Sequence, residues 1–186
     1  MAFDATKFRS HLQFGGARPN LYEVTMSFPA GMGSADEEFT YMCRAAQLPG
    51  STVGIAEVHY FGRPIKLHGD RTYEDWSVRV INDEDFVVRN AFEAWQNRLA
   101  MMDWGTDAIE NADGSWQDLH VDIKVTQMGK DGTTRLKTYT LHNAWTPNIG
   151  PIELAWDMNN QIEEFSVQFT YDYFTTDKIE GTSVSY

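Results

Sequence analysis

Period-two alternation is the feature that most constrains this chain. From Leu119 to Met128, Leu119, Val121, Ile123 and Val125 point one way, and His120, Asp122, Lys124 and Thr126 the other. Successive side chains leave a strand on opposite faces, so this pattern builds a sheet with one face on an apolar layer. From Ile162 to Tyr173, Phe165, Val167, Phe169, Tyr171 and Tyr173 alternate with Glu164, Ser166, Gln168, Thr170 and Asp172. From Leu21 to Phe28, Tyr22, Val24, Met26 and Phe28 oppose Leu21, Glu23, Thr25 and Ser27, and Trp76, Val78 and Val80 oppose Asp75, Ser77 and Arg79. Weaker strand signals cover Phe39 to Gln47, Val53 to Tyr60, Pro64 to His68, Arg135 to Leu141 and Ile152 to Trp156.

Turn residues punctuate these runs. Gly129-Lys130-Asp131-Gly132 reads as a hairpin connection, and Pro49-Gly50, Gly62-Arg63-Pro64 and Pro147-Asn148-Ile149-Gly150-Pro151 as further breaks. One helix stands out. Asn82 or Asp83 is placed to cap it, with Glu84 and Asp85 in its first turn, where carboxylates suit the helix dipole. Phe86, Val87, Ala91, Ala94, Trp95, Leu99 and Met102 follow at helical spacing. With no repeat or linker to divide it, residues 1–186 read as one domain. It is mainly β: two packed antiparallel sheets, a barrel or sandwich, with one flanking α-helix.

The formal net charge of -12 excludes free affinity for nucleic acid or an anionic membrane, both of which need clustered Lys and Arg. A single cysteine, Cys43, precludes an intrachain disulfide and reads as a buried thiol. Met1 to Ser10 lacks the apolar run of a signal peptide, and no stretch approaches the roughly 18 apolar residues of a membrane span.

Catalytic patterns are missing. His11, His59, His68, His120 and His142 form no zinc-ligand spacing with each other or with Cys43. His120 and Asp122 share a strand face but lack further ligands. The carboxylate clusters Asp36-Glu37-Glu38, Glu74-Asp75, Asp83-Glu84-Asp85 and Glu163-Glu164 read as capping and solvated surface, not as an acid–base pair in contrasting environments. No nucleophile elbow is present, and Gly31-Met32-Gly33-Ser34 is followed by acids, not by the Lys of a phosphate loop. Asp103 to Asp118 does not follow the twelve-residue calcium loop. The expectation is a protein with no enzyme activity and no cofactor.

The order of elements from Gly62 to Met102 carries a resemblance. Gly62-Arg63-Pro64-Ile65-Lys66, then Tyr73-Glu74-Asp75-Trp76-Ser77-Val78, then Asn82-Asp83-Glu84-Asp85-Phe86, resembles the core of the tail tube protein family of contractile-tailed bacteriophages. The resemblance extends through the strand-rich part from Thr134 to Phe174. It implies a virion protein, made and assembled in the host cytoplasm, that forms hexameric rings stacked into a tube. Partners implied are further copies of the chain, the tail sheath protein, baseplate and tail terminator proteins and the tape-measure protein, with DNA passing through unbound. An acidic lumen would repel phosphate.

Under that resemblance, the acidic stretch with Asp103, Asp107, Glu110, Asp113 and Asp118 is a candidate inter-subunit loop, and Gly31 to Glu38 a second. Residues 1–19 and 175–186 are extensions ordered by neighbouring subunits. Glu23, Asp122, Glu164 and Asp172 are candidates for the lumen face. The alternatives are a tube subunit of a type VI-like or extracellular contractile injection system, a baseplate tube initiator or terminator-like protein, and an enzyme or ligand-binding barrel built around a roomy apolar pocket.

Overall fold

The computed structural model describes residues 5–12, 16–30, 35–100 and 119–177. In chain order they form α1 (Ala5–His11), β1 (Tyr22–Thr25), α2 (Asp36–Met42), β2 (Cys43–Ala46), β3 (Ser51–Tyr60), β4 (Arg63–Tyr73), β5 (Trp76–Ile81), α3 (Val87–Leu99), β6 (Val121–Met128), β7 (Arg135–Ile149), β8 (Glu164–Thr170) and β9 (Tyr173–Thr176). Seven strands join in the order β1-β6-β7-β8-β5-β2, with β9 also on β7, and every pairing is antiparallel. β3 and β4 make a separate two-stranded sheet.

β7 divides the large sheet into two halves. Up to Ala144 it pairs with β6 and β9, and from Trp145 to Ile149 with β8. Between them Asn143 adopts φ 55°, a left-handed conformation that Asn tolerates better than most residues. Its backbone N–H donates to Asp122 and its side-chain amide to Asp172, which holds the corner.

The alternating residues supply the core. Val24, Ile123, Val125 and Leu141 come from the β1-β6-β7-β9 half, and Trp76, Val78, Val80, Phe165, Val167 and Phe169 from the β2-β5-β8 half. α3 adds Val88, Ala91, Phe92 and Trp95, and α2 adds Phe39. Phe92 touches the rings of Phe28, Phe39, Phe165 and Phe169. Trp95 is fully buried, and its indole N–H donates to the Leu119 carbonyl at 2.9 Å. Each such side chain contributes about 1.5–3 kcal/mol of transfer free energy.

The expected fold class holds, while several local expectations are corrected. α3 starts at Val87, because Phe86 takes a left-handed conformation with φ 56°. Asn82 does not cap it; its side chain donates to Glu163. Asp83 and Asp85 accept from the backbone N–H of Glu84 and Val87, just upstream of the helix. The buried stripe is rotated: Val88 and Phe92 lie in the core, while Phe86 and Ala94 are exposed. Met102 lies outside the described residues.

Phe39 to Met42 end α2, so only Cys43 to Ala46 of that expected strand pairs. In place of an acidic loop, Asp36, Glu37 and Glu38 occupy the first turn of α2, where their charge suits the dipole, and Asp36 accepts from the Phe28 N–H. Ile152 to Trp156 form no strand. The run Ile162 to Tyr173 breaks after Thr170: β9 crosses to the other half, so Tyr173 is exposed and Phe174 turns inward against Tyr73 and Tyr139.

Candidate assembly surfaces

Each half of the large sheet turns its apolar side to the core and its polar side outward. On the β1-β6-β7-β9 half, the outer side carries Glu23, Thr25, Lys124, Thr126, Thr138 and Thr140, with Arg135 and Asp177 at its end, around a shallow depression of about 260 Å³. Thr126 and Thr138 face each other across the strands, their hydroxyls 3.2 Å apart. Arg135 approaches Glu23 at 3.9 Å. Among the described residues this half pairs no strand beyond β1 on one side or β9 on the other. Unpaired edges of this kind are templates for another chain.

The same half holds Asp122, His142 and Thr175 in line. The His142 Nδ1 lies 3.0 Å from Asp122, and its Nε2 lies 2.8 Å from the Thr175 hydroxyl. The order is that of a nucleophilic triad, but the setting is not. The Asp122 carboxylate is half exposed, the hydroxyl sits on a short edge strand, and the depression on this face is polar and shallow. The arrangement acts as a clasp that ties β6, β7 and β9 together.

The lumen candidates separate in space. Glu23 and Asp122 lie on the outer side of the β1-β6-β7-β9 half. Glu164 lies on β8 and pairs with Arg44. Asp172 lies at the crossover between β8 and β9, held by Asn143. Asp103, Asp107, Glu110, Asp113 and Asp118 all lie outside the described residues, as do 31–34, 178–186 and parts of 1–19. Within the N-terminal extension, α1 is described.

The β3–β4 hairpin was not singled out by sequence reasoning as an assembly surface. Its tip is a two-residue turn, Phe61-Gly62, with φ 48° and 76°, the mirror-image geometry that matches strand twist. Beyond a bulge near Gly54, the cross-strand pairs Ala56–Leu67, Val58–Ile65 and Tyr60–Arg63 share one side. The other side carries Glu57–Lys66 and His59–Pro64. Neither side is covered: every β3 residue is exposed, and Phe61 at the tip is 89 % exposed. The signal was present in the sequence, since Val58, Tyr60, Ile65 and Leu67 alternate as core strands do.

Among the described residues no group of His, Cys, Asp and Glu is arranged to hold a metal ion. Cys43 is buried, and desolvation pushes its thiol up to about 12, far from a thiolate nucleophile. No helix among the described residues is long and apolar enough to cross a membrane.

Comparison with known proteins agrees with this architecture. A solved chain in the baseplate of the anti-feeding prophage superposes with a TM-score of 0.62 at 11% identity, covering 89% of this chain and 97% of that one. A chain from the sheath–tube complex of an extracellular contractile injection system superposes at 0.58 with 12% identity, covering 96% and 100%. At these identities the likeness is one of fold. The tail tube protein gp19 of Enterobacteria phage T4 is 34% identical over 158 residues, 85% of this chain and 90% of the relative. The tail tube protein of Serratia phage KSP90 is 27% identical over 176 residues, 92% of this chain and 96% of the relative. Residues 17–177 match the family model described as phage tail tube protein, and the chain therefore belongs to this structural, non-enzymatic family.

Proposed function

We propose that this chain is the tube subunit of a contractile bacteriophage tail, in which hexameric rings stack into a conduit for DNA and tape-measure protein. The observation that carries the reading is the β1-β6-β7-β9 half. It is four antiparallel strands wide, has a hydroxyl-rich outer face, and among the described residues ends in an open edge on each side. Joining β9 of one copy to β1 of the next continues the sheet, and closing the ring abolishes the edges. The polar side then faces the lumen, and the apolar side stays on each subunit's own core.

That assignment puts Glu23 and Asp122 on the lumen wall and Glu164 on the β2-β5-β8 half. Glu23, Asp122 and Asp177 against Lys124 and Arg135 leave the wall net negative, which favours passage of phosphate over adhesion. The outer surface of the tube would meet the sheath, and its two ends the baseplate and the tail terminator. The stretch with Asp103, Asp107, Glu110, Asp113 and Asp118, and the two extensions, are proposed as contacts between subunits.

The fold likeness to a chain of an injection-particle baseplate supports a second reading, a tube initiator that forms rings without polymerising. Electron microscopy of the purified protein separates the two. Long tubes with six-fold end views support the tail tube, discrete rings support the initiator, and a monomer at high concentration removes both.

A further inference from the structure

Among the described residues β9 is one of the two edges of the β1-β6-β7-β9 half, and it has little to hold it there. It is four residues long, it follows the crossover from β8, and only Phe174 of its side chains packs on the core. Its register on β7 fixes which backbone groups are free. The Asp177 N–H donates to the Thr138 carbonyl, and backbone groups alternate along a strand, so those of Tyr173 and Thr175 face β7 while those of Phe174 and Thr176 face away. At the other edge the Met128 N–H donates to the Leu21 carbonyl, which leaves the backbone groups of Tyr22 and Val24 facing away from β6.

These two edges match. Phe174, Tyr22 and Val24 all lie on the apolar side of the sheet. β1, β6, β7 and β9 alternate in direction, so β9 of one copy runs antiparallel to β1 of a copy rotated beside it. Free backbone groups then meet with apolar side against apolar side, provided β9 keeps its place. A slip of one residue would turn every side chain to the wrong face.

One side chain holds that place. Both outer side chains of β9 land on His142: the Tyr173 ring stacks on the imidazole at 4.8 Å, and the Thr175 hydroxyl meets Nε2 at 2.8 Å. The imidazole is itself oriented from β6, because Nδ1 donates to the Asp122 carboxylate, which can only accept. The second oxygen of Asp122 accepts from the Asn143 N–H, and the Asn143 amide donates to Asp172, the residue before β9. The Thr175 hydroxyl both donates and accepts, so the contact is complete whether or not Nε2 carries a proton.

We propose that His142 is the positioning residue of ring closure: held by Asp122, it fixes Tyr173 and Thr175 so that β9 offers its free edge to β1 of the next copy in a single register. The partner is a second copy of this chain. The clasp lies apart from Phe92, Trp95, Phe165, Val167 and Phe169, so without it the core still forms and the edge strand alone is released. The inference rests on the tube reading and adds the device that sets the edge it uses.

The test is Thr175→Val, which exchanges the hydroxyl for a methyl group and keeps a strand-forming side chain. Amide hydrogen exchange is followed by NMR in the dilute, unassembled chain, and the concentration needed for assembly by sedimentation. The Asp177 amide should exchange about tenfold faster, the Val167 amide in β8 should not change, and the assembly concentration should rise about tenfold. Thr175→Ser, which keeps the hydroxyl, should return both quantities to those of the parent chain. His142→Ala, which removes the ring stack as well, should raise the assembly concentration about thirtyfold.

Three outcomes overturn the proposal and leave the tube reading intact. Thr175→Val assembles as the parent does; or Val167 exchanges faster too, which makes the clasp a support of the whole fold; or assembly weakens with Asp177 exchange unchanged, which puts the hydroxyl in the junction itself. A parent chain that never assembles overturns both.

Discussion

The strand pair β5–β8 and the hairpin β3–β4 use the same alternation to opposite ends. In β5–β8, Trp76, Val78 and Val80 meet Phe169, Val167 and Phe165 across the register and are closed off by α3. In the hairpin, Val58 meets Ile65, with Tyr60 and Leu67 on the same side, in a regular register beyond the bulge near Gly54, and nothing among the described residues covers them. The first pattern stabilises a monomer. The second leaves its apolar side exposed among the described residues. Alternation therefore states that a face is to be covered, and leaves open by what.

Four variants probe this contrast. Trp95→Ala removes a fully buried ring and an indole hydrogen bond from beneath the sheet, and should lower the unfolding free energy by about 3–5 kcal/mol, read by denaturant titration. Gly150→Ala drives a methyl group into the Ser166 hydroxyl and to 3.1 Å from the Ser166 carbonyl oxygen, at a point where Gly150 donates to that carbonyl and accepts from Arg89. Overpacking there should cost about 1–3 kcal/mol in the same titration.

Val58→Ser with Ile65→Thr should behave in the reverse way. Unfolding of the dilute, unassembled chain should change by less than about 0.5 kcal/mol, because both side chains are already half exposed. Tubes seen by electron microscopy should be lost. A large loss of monomer stability would place the hairpin with the core and dissolve the contrast.

The smallest expected effect concerns the other hairpin connection. Hydrogen bonds from the Thr134 hydroxyl, then from the Thr134 N–H and from Thr133, lower the Asp131 carboxyl to about 2. A depressed folded-state value means that this contribution is complete above the unfolded value near 3.8 and fades as pH falls towards 2. Asp131→Asn should flatten the acid limb of the stability curve between those values and leave neutral stability nearly unchanged, as Asp131 is fully exposed to solvent.

Much of the covered half was legible in advance. The strands around Val24, Val78, Val125 and Val167 emerged with their inward faces correct, since each pairs a long alternation with clear turn signals such as Gly129 to Gly132. The helix was legible, and its face in part: Ala91 and Trp95 were placed inward, Val88 and Phe92 were not. Asp83 and Asp85 look like capping residues, yet the left-handed Phe86 delays the start and rotates Val88 and Phe92 inward. The acidic stretch from Asp103 to Asp118, expected as an inter-subunit loop, lies outside the described residues, while the exposed apolar side of the hairpin was not singled out. Hydrophobic side chains that sit in a hairpin are indistinguishable, by spacing alone, from those that sit in a core.

By itself the sequence determined the elements that depend on neighbours a few residues away: period-two strands, a Gly-punctuated turn and one amphipathic helix. The tertiary structure decided what depends on distant residues. Only it shows that β7 turns a corner at Asn143, that β9 leaves the line of β8 to join the other half, and that Glu23 and Glu164 belong to different halves. Only it shows which alternating face has been left bare. Local spacing sets the direction in which a side chain points, but its burial is a property of whatever the rest of the chain, or the next copy, places over it.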